Sequence, residues 1–293
     1  MPVRGRKQVI AILLKLKAKG KLSELFKGSV PRAGAHQLPV SRPLESLRRA
    51  ILSSAPIDKA WRMPIRAKVG GASSRPYVLH LRGGQKALFK PLETGGGSEI
   101  LAYQTSKILG FPSVPPTVLR KTSWGLGSVQ QWIRGKERDP VSRALLEAVK
   151  LQKRLKGKTI PPILKQWREM KVFDFLIGNY DRAPGNFKWD SRANHLVAID
   201  NAEGFLSDSP AEGIWESMHM DRTLTEMTGL EKQQVSRSVK RFLRRRDHLE
   251  GAVFRLPPKV AEGMLLDSVF LRAQYFLDKI GKKSLSKRGI TQE

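Results

Sequence analysis

Asp181, Asn186 and Asp200 are the residues of this sequence whose types and order could do chemistry. Asn186 follows Asp181 by five positions, and Asp200 stands on the far arm of a hairpin expected around the polar turn Ser191 to Asn194. Such a set suits phosphoryl transfer, in which one carboxylate meets an acceptor hydroxyl while hard oxygen ligands hold a divalent cation against the phosphates. Upstream, Phe89-Lys90-Pro91 sets a lysine at a strand end and Glu99 opens the next helix, an order that pairs a phosphate-contacting lysine with a helix glutamate. Lys90, Glu99 and Asp181 are therefore the catalytic candidates, and Asn186 and Asp200 the metal ligands. Taken singly, Asp181 reads as a turn residue and Glu99 as a carboxylate serving the helix dipole. It is the occurrence of all four elements in this order that favours the catalytic reading. Asp174 is expected to be capped or salt-bridged and is left outside the site.

These side chains need elements to hold them. Ile65 to Val69, Tyr77 to Leu81 and Ala87 to Phe89 read as short strands, punctuated by Gly70-Gly71 and Gly83-Gly84. Thr94-Gly-Gly-Gly-Ser98 reads as a flexible bridge into a helix from Glu99 to Leu109, ended at Gly110. Thr117 to Arg120 and Gly127 to Ile133 add two strands, and Val141 to Leu155 and Ile163 to Ile177 two helices. Asn186 to Trp189 and Leu196 to Ile199 form the hairpin, and the chain beyond Pro210 is mostly helical. The fold class expected is α+β with two lobes: a basic extension over 1–60, a small β-rich lobe with one helix over 61–135 and a larger helical lobe over 136–293.

The motifs Phe89-Lys90-Pro91, Ser98-Glu99-Ile-Leu-Ala-Tyr103, Val114-Pro-Pro-Thr-Val118, Gly127-Ser-Val-Gln130, Asp181-Arg182 and Asp200-Asn201 resemble those of atypical kinases of the protein-kinase-like superfamily. Two kinds are similar: the type II phosphatidylinositol 4-kinases and the four-jointed and secretory-pathway kinases. The resemblance spans about residues 65–206. It implies a two-lobed kinase fold that uses ATP with Mg²⁺ or Mn²⁺. Lys90 would contact the ATP phosphates, Glu99 would position Lys90, Asp181 would be the base, and Asn186 with Asp200 would bind metal. It places the hinge beside adenine at Gln130 to Gly135, so that Gln131, Trp132 and Ile133, with Ile199, join the nucleotide site. Apart from the resemblance, Val69 to Pro76, with Gly70, Gly71, Ser73 and Ser74, is a candidate phosphate cover that reads equally as a plain flexible turn. The acceptor implied is a hydroxyl on a protein, a phosphoinositide, a glycan or a small molecule.

Composition narrows the field further. The 293 residues carry 54 Lys and Arg against 26 Asp and Glu, a net charge of +28 that favours an anionic acceptor or partner. There is no cysteine, which excludes disulfides, zinc-thiolate sites and thiol catalysis. No Gly-x-x-x-x-Gly-Lys-Ser/Thr loop, Gly-x-Ser-x-Gly elbow, Rossmann fingerprint or His-Glu-x-x-His pair is present. No apolar run approaches the roughly 20 residues that span a bilayer. Lys15, Lys17 and Lys19 cut the stretch from Val9 to Leu14 too short for a signal core, so a cytoplasmic location is expected. The spacing of Val9, Ile12, Leu13, Leu16, Leu22, Leu25 and Phe26 predicts a lysine-faced amphipathic helix, a docking element that also suits an anionic membrane surface. Thr225 to Leu243, with Arg237, Lys240 and Arg241, imitates a helix-turn-helix and is followed by Arg244 to Arg246. The competing functions are thus a catalytically silent kinase-fold scaffold and a basic nucleic-acid-binding protein using residues 221–246.

Overall fold

The computed structural model describes residues 42–62, 76–111, 113–133, 162–183, 185–190 and 195–286. Helix α1 (Arg42–Ser54) and strand β1 (Ile57–Arg62) come first, followed by β2 (Tyr77–Leu81), β3 (Gln85–Pro91), helix α2 (Gly96–Leu109), β4 (Thr117–Thr122) and β5 (Gly125–Gln131). The strands form one antiparallel sheet in the order β1-β2-β3-β5-β4. Alternation along β2 and β3 sends Leu79, Leu81, Ala87 and Phe89 to one face, where Leu47, Ile51 and Leu52 of α1 cover them. Arg120 of β4 donates to the carbonyls of Leu52 and Ala55 at 3.0 and 2.7 Å, closing the end of α1.

Residues 42–62, which composition groups with the basic extension, pack on this sheet through α1 and pair with it through β1. Leu47, Ile51 and Leu52 repeat at helical spacing, but Arg48 and Arg49 between them disguise the stripe as part of a basic tract. The strand expected over 65–69, Gly70, Ser73, the helix expected over 141–155 and the basic amphipathic helix near the start lie outside the described residues.

The larger lobe is built on α3 (Pro162–Ile177), the hairpin β6 (Phe187–Asp190) and β7 (His195–Ala198), and the helices α4 (Ala211–Ser217), α5 (Met220–Glu226), α6 (Gly229–Leu243), α7 (Arg246–Val253), α8 (Pro258–Ala261) and α9 (Leu266–Ser286). Its core gathers Phe173 and Phe175 of α3 around Trp215 and Phe276, with Phe175 and Trp215 in edge contact at 5.2 Å. The hairpin forms where the alternation predicts it, to within a residue at each end.

Helix α6 starts with a full capping box, Thr228 and Glu231 each bonding the other's backbone N–H. Val235, Val239 and Phe242 are buried in the core of the larger lobe, and Arg241 donates to the carbonyls of Ile108 and Leu109 at 2.9 and 2.6 Å, capping α2. The stretch resembling a DNA-reading helix is thus a brace between the lobes, with Arg237 and Lys240 left on its open side. Among the described residues, no helix is long and apolar enough to cross a membrane.

Candidate active site

Lys90 and Glu99 meet where three glycines let the start of α2 pack closely, against β3 at Gly96 and against the larger lobe at Gly95 and Gly97. The turn at Gly95 has φ +90°, and a Cβ there would stand 2.5 Å from the Cβ of Ala202. One at Gly96 would stand 2.5 Å from the carbonyl oxygen of Lys90, and one at Gly97 2.9 Å from Met264. The expected flexible bridge is therefore a tightly packed helix start; its glycines answer close approach and not mobility. On the other side of the same carbonyl, a Cβ at Gly127 would come within 2.4 Å. Lys90 is held in this cradle at 5% exposure, and its Nζ donates to Glu99 Oε1 and to Asp200 Oδ1, both at 2.8 Å.

Burial by itself would lower the Lys90 pKa. Glu99 and Asp200 more than offset it, and the ammonium is held above its ordinary value. Glu99 is in turn clamped by the Asn201 backbone N–H at 3.0 Å, the Asn201 amide at 3.1 Å and the Gln130 amide at 3.3 Å. Gln130 also donates to Thr117, so the first residue of the expected hinge is committed to Glu99 and the sheet. In the rest of the expected hinge, the Gln131 N–H donates to the Pro116 carbonyl and the Trp132 N–H to the Lys86 carbonyl. Lys188 lies over the Trp132 ring at 5.0 Å and donates to the Ile133 carbonyl at 3.4 Å.

Asp200 adopts φ +53°, a left-handed conformation that aspartate tolerates better than most residues. Its side chain is 53% exposed, and only Oδ1 is taken by Lys90. Asp181 is exposed, and the Asn186 amide donates to its Oδ2 at 3.0 Å and to its carbonyl at 2.6 Å. This bond turns the nitrogen of Asn186 toward Asp181 and keeps its Oδ1 as an acceptor. The Ile199 N–H donates to the Asn186 carbonyl at 3.1 Å, which ties the two loops together next to Asp200. Asn186 Oδ1 and the second oxygen of Asp200 are hard neutral and anionic donors that fit Mg²⁺ or Mn²⁺. Such ions are commonly held by one or two protein oxygens, with phosphates and water completing the shell. Among the described residues, no group of three or more His, Cys, Asp or Glu could hold a metal ion.

Sequence reasoning passed over Arg182 as a functional residue. Its buried guanidinium donates to Asp174 at 2.7 and 3.0 Å, to Asn201 Oδ1 at 2.6 Å and to the Ile199 carbonyl at 2.6 Å. Burial opposes its charge, but Asp174, with Glu99 and Asp200, outweighs burial and holds the pKa above its ordinary value. Asp174 is ion-paired as expected, at the root of a chain of contacts running through Arg182, Asn201, Glu99, Lys90 and Asp200. The recurring Asp-Arg and Asp-Asn pairs were the available signal. Val78 and Leu88 pair across β2 and β3 on the face that carries Lys90, and like Ile199 they join none of the hydrophobic clusters of the described residues. A recess of about 290 Å³ between α7 and α9 contains none of these residues.

No family model matches the chain. It is 25% identical to four-jointed box protein 1 of Xiphophorus maculatus over 51% of its own length, and the match covers 44% of that protein. The chain thus spans less than half of the curated relative it matches. Among solved structures, the Golgi casein kinase superposes with a TM-score of 0.52 at 14% identity, covering 85% of this chain and 78% of that one. A hydra Fam20 structure with sugar superposes at 0.51 and 16% identity, covering 85% and 93%. The fold these likenesses show is the protein-kinase-like one: a small antiparallel lobe with a helix between its strands, set on a larger helical lobe. In sequence, the resemblance is to four-jointed box protein 1.

Proposed function

We propose that the protein is an ATP-dependent phosphotransferase that moves the γ-phosphate of ATP to a hydroxyl acceptor. One observation carries this reading: Lys90 bonds Glu99 and Asp200 at once, while Arg182 holds the Asp181 and Asn186 loop against the Asp200 loop. Leu88, on the sheet face that carries Lys90, and Ile199, next to Asp200, would offer apolar surface to the nucleobase, with Trp132 and Ile133 as the hinge. Lys90 keeps its charge and retains a third N–H for the phosphates. Asp181 takes the acceptor proton as the new O–P bond forms and the bond to the leaving ADP breaks. Asn186 fixes the direction of the Asp181 carboxylate. A divalent cation, Mg²⁺ or Mn²⁺, held by Asn186 Oδ1 and Asp200 would neutralise phosphate charge there.

The acceptor is a protein, phosphoinositide, glycan or small-molecule hydroxyl, and the surplus of 54 basic over 26 acidic residues favours an anionic one. The test is transfer of labelled γ-phosphate with Mg²⁺ or Mn²⁺, to the protein itself and to a panel of acceptors. Wild type is expected to label, and Asp181→Ala to lose transfer by about 10³-fold or more. Equal labelling by the two would defeat the proposal. Nucleotide binding without transfer under all metals would install the silent scaffold in its place.

A further inference from the structure

Helix α3 ends directly before the loop that carries Asp181 and Asn186, and each of its last four carbonyls has an assigned partner. The Asp174 carbonyl accepts from the Asn179 N–H at 2.8 Å, and the Phe175 carbonyl from the Gly178 N–H at 3.3 Å. The Ile177 carbonyl accepts from the Phe205 N–H at 2.7 Å, so the segment following Asp200 is bonded to the same helix end. The remaining carbonyl, of Leu176, accepts from Nε of Arg272 at 2.9 Å. Arg272 reaches in from the middle of α9, 96 residues further along the chain. Its Nη1 donates to the Ser207 carbonyl at 3.2 Å. One guanidinium thus grips both segments of the site, the first just before Asn179 and the second after Gly204.

The chemistry of this arginine is unusual for a structural residue. It is 1% exposed, and among the described residues no carboxylate bonds it and its Nη2 has no partner. Burial alone brings its pKa down to about 10, with no charged neighbour opposing. What favours the cation is the negative end of the α3 dipole, toward which it points. Gly178, at φ +72°, is shaped to the same contact: a Cβ there would stand 3.1 Å from Nη2 and 3.2 Å from Cζ of Arg272. A buried cation at a helix end, with no ion pair among the described residues, carries its desolvation cost uncompensated by a carboxylate, and what it contributes is the joining of the Leu176 and Ser207 carbonyls.

We propose that Arg272 is a positioning residue: by joining the Leu176 and Ser207 carbonyls it sets the register of the Asp181 and Asn186 loop against the Asp200 loop. The role it plays in turnover rests on the phosphotransfer reading above; the bridging itself does not. The experiment compares full-length wild type with Arg272→Lys and Arg272→Met, using local amide exchange and steady-state phosphotransfer from about pH 6 to 9. For Arg272→Met, exchange should quicken at 178–186 and 204–207 while the cores of α6 and α9 keep their protection. Its kcat should fall roughly 10- to 100-fold, with KM for ATP within about twofold of wild type. Arg272→Lys, buried without a carboxylate, should acquire a kcat that falls with rising pH in this range, a dependence absent from wild type. If Arg272→Met does not fold, the exchange pattern and pH profile of Arg272→Lys decide. Faster exchange spread evenly over the larger lobe, or wild-type exchange and kcat in a folded variant, overturns the proposal. A wild type without any transfer would refute the phosphotransfer reading and leave the exchange comparison to judge Arg272.

Discussion

Arg182 is the residue on which most of the site's contacts converge, and its removal has a calculable consequence. Arg182→Leu leaves the fully buried Asp174 without its partner, and stranding one member of such a pair costs about 3–5 kcal/mol. The double substitution Asp174→Leu with Arg182→Leu should recover much of that loss in urea unfolding, while nucleotide binding stays impaired because Asn201 and Glu99 have lost their anchor. A double variant no more stable than the single one would contradict this account. Lys90 gives a pH signature. Its folded pKa lies above its unfolded one, so its ion pairs contribute fully below the unfolded value of about 10.4 and fade as pH rises through the folded value. The difference in unfolding free energy between wild type and Lys90→Met should therefore narrow once pH exceeds about 10. A gap unchanged to about pH 11.5 would show that Lys90 does not titrate as the geometry requires.

At the scale of single elements, the glycines and arginines separate packing from incidental composition. Gly96→Ala drives a Cβ into the backbone of Lys90 and Pro91 and must shift the start of α2, which carries Glu99. A loss of about 1–3 kcal/mol and weaker ATP binding are expected. Gly213 lies within α4 with open space around it, and Gly213→Ala should raise stability by about 0.4–1 kcal/mol. Thermal melts of the pair test both signs at once. Within α6, Arg241→Ala uncaps two carbonyls of α2 and should cost about 1 kcal/mol, whereas Lys240→Ala, one position earlier on the open side, should stay within about 0.5 kcal/mol. Equal effects at the two positions would refute the bracing role of α6.

For the whole molecule, the small lobe depends on chain lying before the sheet's cleft strands. A chain starting at residue 61, the boundary that composition suggests, lacks α1 and nearly all of β1 and exposes Leu79, Leu81 and Phe89. Amide exchange should show β2 to β5 losing protection while α3 and α9 retain theirs. Preserved protection in the sheet would restore the boundary at 60. Residue types and short spacings by themselves pointed to the chemistry proposed. Phosphoryl transfer needs a lysine at a strand end, a helix glutamate and an Asp, Asn, Asp series around a hairpin, and each of these is a local pattern. Strand alternation likewise made β2 and the β6–β7 hairpin legible. Only the tertiary structure decided which groups hold those side chains in place. Asn201 bonds Glu99 across 102 positions, Arg241 caps α2 across 132, and Arg272 reaches Leu176 across 96. No short window contains both partners. The glycines at 95–97 mislead for the same reason: flexibility and close approach call for the same missing side chain, and only the position of Lys90, Ala202 and Met264 around them tells the two apart.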